Sequence, residues 1–150
     1  MAHTFGMCLY HVVFSTADQR DSISVEWMPD LWAYMGGTAR AREMTALTIG
    51  GTANHVHLLL LMPPSLSPSK GVQLIKANAS RWINAQFAPH TPFVRQQGFG
   101  VFTVGFSQIE KTRMYIGNQQ VHHRKVSFED EYRQFLKKHM IEAKEEYLFG

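Results

Sequence analysis

The run His55-Val56-His57-Leu58-Leu59-Leu60-Leu61-Met62 constrains this chain more than any other stretch. Apolar side chains fall on both sides of an extended backbone there, so the run reads as a buried central strand. Side chains two apart on a strand point the same way, which sends the imidazoles of His55 and His57 to one face, close enough to converge on one metal ion. Burial of the strand on its far side would hold that two-histidine platform rigid and dry. The plainer reading of His-x-His on an apolar strand is a pair of satisfied core histidines. The rest of the chain has to decide.

With 150 residues, 45% of them hydrophobic, the expectation is one domain, residues 1–150, with a real core. Cys8 is the only cysteine, which excludes an intramolecular disulfide and a thiolate zinc site. Residues 1–6 lack a basic segment ahead of an apolar one, and the longest apolar run stops at Pro63-Pro64, too short to span a bilayer. A soluble, cytoplasmic protein is expected. Net charge is +3, but Lys70, Lys76, Arg81, Arg95, Lys111, Arg113, Arg124 and Lys125 face only Glu110 between residues 51 and 128, while six of the twelve acids follow. A basic half around the histidine pair suggests a polyanionic substrate, against the plainer reading of a solvated surface with a chance imbalance.

Phe5 to Ser15, with Tyr10, Val12, Val13 and Phe14, favours a strand. From Pro29 to about Glu43, Leu31, Trp32, Met35 and Ala39 fall at helical spacing; Gly36-Gly37 weakens this helix, excused by close packing or simply tolerated. Met44 to Ile49 reads as a second strand, turned by Gly50-Gly51-Thr52-Ala53 into the histidine strand as a hairpin. Ser67-Pro68 opens a helix with the stripe Val72, Ile75, Ala79, Trp82 and Ile83, and Gly100 to Val104 is a fourth strand. Strand, helix, strand, strand, helix, strand is the ferredoxin-like order, an α+β fold with an RRM-like antiparallel sheet and two helices on one face. Two more helices follow, each opened by a capping box, Ser107 with Glu110 and Ser127 with Asp130.

The first of these carries Tyr115, Gln119 and His122 at spacings of four and three, so one helical face presents a phenol, a carboxamide and an imidazole. Gln119 can offer its carbonyl oxygen as a third metal ligand beside His55 and His57, leaving positions open as a catalytic ion requires. A phenol is a poor nucleophile alone, but beside a cation that polarises a phosphodiester it can attack phosphorus and keep the bond energy in a phosphotyrosine. Rejoining would then need no nucleotide cofactor. Lys70, Lys76, Arg81, Lys111 and Arg113, with His122, His123, Arg124 and Lys125 at the helix end, are the candidate phosphate contacts. Tyr10 and His11 could border the site, with core packing the plainer reading, and Trp82 is read as core.

The segments Tyr10-His11-Val12-Val13-Phe14-Ser15-Thr16, His55-Val56-His57, Tyr115 with Gln119, and Ser127-Phe128-Glu129-Asp130-Glu131-Tyr132 resemble the single-tyrosine HUH transposases of the insertion sequence 200/605 family, over nearly the whole chain. The resemblance implies a ferredoxin-like fold, a divalent ion, Mg2+ or Mn2+, on His55, His57 and Gln119, and cleavage of single-stranded DNA by Tyr115. It further implies recognition of hairpins at element ends by a homodimer in which each site joins the histidines of one subunit to the tyrosine helix of the other. The sequence is compatible with this, since Gly105-Phe106 is a short connection whose glycine could let the helix reach away from its own domain. Asn54 stands where relatives often carry an acid, and Ala17-Asp18-Gln19 replaces basic residues common after the first strand.

Other histidine chemistry fits less well, because Leu59 and Leu60 occupy positions where a histidine-triad hydrolase or a His-x-His-x-Asp-His metallohydrolase needs further ligands. A non-catalytic single-strand binding module would need aromatics on the open sheet face, where this chain offers histidines and leucines. A domesticated relative that cleaves without mobilising an element would share the same residues.

Overall fold

Alternation on the strands decides the layers. In the computed structural model, which describes residues 4–87, 93–94 and 96–149, β1 (Cys8–Ser15), β2 (Thr45–Thr52), β3 (His55–Met62) and β4 (Gly100–Thr103) form one antiparallel sheet in the order β2-β3-β1-β4. Val12 and Phe14 of β1 and Val56, Leu58, Leu60 and Met62 of β3 point to one face. There they meet Met28, Leu31, Met35 and Ala39 of α1 (Met28–Ala41) and Val72, Ile75, Ala79 and Ile83 of α2 (Pro68–Phe87). This is the expected ferredoxin-like order with two helices on one face.

The odd-numbered residues of β1 and β3 point the other way, and that face is covered too. Leu9 and Leu59 pack on Ile116 of α3 (Ile109–Gly117), while Val13 and Phe102 pack on Phe128 and Tyr132 of α5 (Phe128–Lys138). Between them lies the single turn α4 (Gln119–His122). Among the described residues the sheet has helices on both faces, unlike the open face a base-stacking module needs. Trp82 packs partly buried against the first cluster, as expected.

Two of the three expected helix-start signals form. The Ser67 hydroxyl accepts from the Lys70 amide, and Ser127 caps α5 by accepting from Asp130. The capping box at Ser107 and Glu110 does not form: a 3-10 turn over Phe106–Gln108 takes Ser107 into the turn, and α3 starts after it with no side-chain cap. Gly36 and Gly37 are tolerated rather than required, since a Cβ at either would meet only the Arg40 guanidinium at 3.8 Å. No helix among the described residues is long and apolar enough to cross a membrane.

A glycine inside a helix costs about 1 kcal/mol relative to alanine. Gly37→Ala is therefore expected to raise unfolding stability in urea by about 1 kcal/mol. A lowered midpoint would mean that this face of α1 is in close contact after all.

Candidate metal and tyrosine site

His55 and His57 are completely buried on the face opposite α1 and α2. Their outer nitrogens are engaged, which decides where the inner ones point. His57 Nδ1 lies 2.7 Å from His11 Nε2, and His55 Nδ1 lies 2.8 Å from Asn54 Oδ1 and 2.9 Å from Thr52 Oγ1. A proton on His55 Nδ1 donated to Asn54 leaves the Nε2 lone pair directed at the cluster, the tautomer that a metal ligand needs. His11, more plainly read from sequence as core, is instead the direct support of His57. The pairing follows from the β1–β3 register, in which Val13, on the same face as His11, lies opposite His57.

The tyrosine helix comes close because of one residue. A Cβ on Gly50 would sit 2.3 Å from the Ile116 carbonyl oxygen, so any side chain at that β2 position would push α3 off the sheet. The helix breaks after Gly117, with Asn118 outside helical geometry, and resumes at Gln119. Tyr115, Gln119 and His122 still converge. Gln119 Oε1 lies 2.9 Å from His55 Nε2, while its amide nitrogen donates to Glu131 Oε2 at 3.2 Å, which fixes the carbonyl end toward the histidines. The Tyr115 hydroxyl donates to Glu131 Oε2 and lies 3.4 Å from His122 Nε2.

Glu131 is the residue that sequence reasoning missed as part of this site. It projects from α5 into the middle of the cluster, with Oε1 2.8 Å from His57 Nε2, 3.1 Å from His123 Nε2 and 3.7 Å from His55 Nε2. His122 Nε2 is 3.3 Å from Oε2. A signal was present: Glu131 occupies the helical face of Phe128, Tyr132 and Phe135, and an acid on an apolar stripe calls for a partner.

Burial, with His57 beside each, lowers the pKa of His11 and of His55 to about 3, and burial moves His57 the same way. Burial alone would raise the Glu131 carboxyl, but its contacts with His123 and His57 outweigh this and hold it well below the usual carboxylate range. Burial and the adjacent Glu131 push the Tyr115 phenol above its ordinary value of 10.0. The ligand atoms of His55, His57, His123 and Glu131 all lie within 4.8 Å of one another. Imidazole nitrogens and a carboxylate are the donor set of a divalent ion, so the cluster fits one.

The basic residues divide between two sides. Lys111 and Arg113 on α3 and Arg124 and Lys125 after α4 lie on the imidazole side, and His122 and His123 belong to the cluster itself. Lys70 and Arg81 are exposed on α2, in the layer across the sheet. Lys76 is buried, its ammonium donating to the Gly98 carbonyl at 2.6 Å and lying 5.2 Å from the centre of the Phe14 ring. Arg95 lies outside the described residues.

The buried histidines set a direction for acid stability. With folded-state values near 3 and an unfolded value near 6.5, the unfolded chain binds protons first as pH falls. Metal-free protein should therefore lose stability from about pH 6.5 downward, on the order of a few kcal/mol for each of His11 and His55 by pH 3. Glu131 adds to the loss below its unfolded value, because its folded value is depressed. Thermal melting in the presence of a chelator checks this; a melting temperature unchanged between pH 7 and 4.5 would contradict it.

Residues 4–119 match the family model described as Transposase IS200 like. The chain is 27% identical over 124 residues to the transposase for insertion sequence element IS200 of Salmonella typhimurium and, equally, of Salmonella typhi, covering 79% of this chain and 81% of each relative. Among solved structures, a protein of Deinococcus radiodurans R1 assigned as a transposase superposes with a TM-score of 0.64 at 20% identity, over 79% of this chain and 95% of that one. The REP-associated tyrosine transposase bound to a REP hairpin superposes with a TM-score of 0.62 at 13% identity, over 84% and 76%. The match over residues 4–119, which takes in the histidine strand and both Tyr115 and Gln119, places the chain in the IS200-like transposase family.

Proposed function

We propose that this chain, acting as one domain over residues 1–150, cleaves and rejoins single-stranded DNA at insertion-sequence ends through a 5′-phosphotyrosine on Tyr115. The observation that carries the reading is the convergence of a tyrosine hydroxyl and two buried, inward-facing imidazoles on one carboxylate. His55, His57 and Gln119 would hold the ion, of which Mg2+ or Mn2+ suits a site that also receives phosphate oxygens. When bound, it supplies Lewis-acid polarisation of the scissile phosphodiester and neutralises charge developing there.

The chain's own groups do the rest. α3 holds the Tyr115 oxygen on the same side of the sheet as the imidazoles, so a phosphate brought to the cluster meets its nucleophile. The bond from Tyr115 to phosphorus forms as the bond to the 3′ oxygen breaks. The phenolic proton is released, the 3′ oxygen gains one, and attack by a 3′ hydroxyl on the phosphotyrosine reverses the step. Burial keeps the phenol protonated at rest. Lys111, Arg113, Arg124 and Lys125 would bind the flanking backbone, with Lys70 and Arg81 available to a second stretch of DNA. The structural neighbour bound to a REP hairpin supports hairpin DNA as the partner; a cytoplasmic location belongs to the same reading.

Tyr115→Phe removes one oxygen and almost no surface. It should abolish the covalent adduct with single-stranded end DNA while leaving hairpin affinity within about two-fold. Adduct formation by the variant would move the nucleophile elsewhere.

A homodimer with exchanged tyrosine helices is also proposed. Within one chain α3 packs on its own sheet, so exchange would have to remake the contact at Gly50 with the partner's Ile116-bearing helix. Exposed Phe106 and Met114, at the entry and on the outer side of that helix, supply apolar surface for a partner. Gly105 is in ordinary extended conformation, so the connection needs no glycine to take its present path. In a verified heterodimer of His57→Ala with Tyr115→Phe, shared sites would concentrate both defects in one site and restore cleavage at the other. An inactive heterodimer would mean that each subunit completes its own site.

A further inference from the structure

Glu131 lies beyond residue 119, where the family match ends, yet its carboxylate is the centre on which the cluster converges. We propose that Glu131 is itself a ligand of the divalent ion, through Oε1, so that α5 supplies the anionic member of the metal site. The proposal rests on the metal-dependent reading given above.

Three observations support it. The first is position. Oε1 faces His57, His123 and His55 at 2.8, 3.1 and 3.7 Å, and ligand atoms sharing one ion at about 2.1 Å from it are themselves separated by about 3 Å or somewhat more. The second is charge. His55, His57 and Gln119 contribute two neutral imidazoles and an amide, all fully or almost fully buried, and a divalent cation placed among them without an anion would carry an uncompensated charge away from water. Glu131 is 2% exposed and is the one carboxylate of the cluster among the described residues. The third is the division of labour between its oxygens: Oε2 is turned to Tyr115 and Gln119. Ligation through Oε1 would leave Oε2 where it is, so the same carboxylate would tie the tyrosine to the ion.

Two consequences separate this from a carboxylate that merely occupies the site until a cation displaces it. A ligand holds α5 down when the ion binds; a displaced plug lets it go. An ion with an anionic ligand also binds before any phosphate arrives.

Mn2+ binding to full-length protein without DNA, by calorimetry, is the first measurement, on wild type, Glu131→Gln and His57→Ala. Glu131→Gln keeps the shape and removes the charge, and should weaken Mn2+ binding at least ten-fold. Wild-type affinity in Glu131→Gln alongside weakened binding in His57→Ala would overturn the role of Glu131 and leave the histidine site standing. Unchanged binding in both would overturn the metal reading itself. Tighter binding in Glu131→Gln would identify Glu131 as a competitor of the ion and overturn the proposal. Amide hydrogen exchange on wild-type protein gives an answer that does not depend on a variant folding: Mn2+ should slow exchange across residues 128–138. Faster or unchanged exchange there, with Mn2+ bound, would reject ligation from α5.

Discussion

Two imidazoles with no solvent exposure at the centre of a sheet must find partners inside the protein, and most of the upper layer can be understood as the answer to that requirement. On the α1/α2 side of β3, leucine, valine and methionine ask only for apolar cover. On the other side every nitrogen has a neighbour of its own: Asn54 and Thr52 for one ring, His11 for the next, and then Gln119, His123 and Glu131 across the gap. Because Glu131 is nearly as buried as the histidines, removing its carboxylate or an imidazole that faces it leaves buried polar groups with fewer partners, a loss of about 1–3 kcal/mol for each group left unsatisfied. The cluster is thus a constraint on folding as well as a site. Aromatic rings of the covering helix close over it, with Phe128 stacked on His55 at 4.6 Å and Phe135 edge-on to His11 at 4.9 Å.

How much of this could be read from sequence differs by the range of the interaction. The strand, helix, strand, strand, helix, strand order was legible because each element announces itself within about ten residues by alternation or by 3.6-residue spacing. The histidine pair and the Tyr115, Gln119, His122 face were legible for the same reason. His11 and Glu131 were not, because their roles depend on register and packing between elements 46 and 74 residues from His57. Glu131 was further disguised by its neighbours: Glu129-Asp130-Glu131 at a helix start is what the helix dipole favours anyway, so the one acid that turns inward looked like the two that do not. The broken helix at Asn118 escaped notice because the break preserves the facing of the residues on either side.

Charge counting fared worse, and Lys76 shows why. A formal charge tallied along the sequence assumes solvent around it, whereas this ammonium is enclosed by Phe14, Phe99 and the Gly98 carbonyl. It braces the loop before β4 against α2. The excess of basic residues between 51 and 128 is consequently not one surface: part is structural, part lies on α2, and part lies on or just after α3 and α4. Electrostatic attraction to a polyanion depends on that arrangement rather than on the sum.

Asn54 joins these threads. Where an acid in this position would offer the His55 Nδ1 edge a charged oxygen, Asn54 offers a neutral one; a proton given to it leaves Nε2 open to an ion, and no negative charge is added there. The negative charge of the cluster then resides in Glu131 alone, on the far side of the imidazoles and next to Tyr115. A charge placed there acts on the tyrosine as well as on the histidines, which a charge at position 54 could not do through the intervening ring. The neutral residue beside the histidine strand and the buried acid on the last long helix are in this sense one electrostatic arrangement, split between two elements 77 residues apart in sequence.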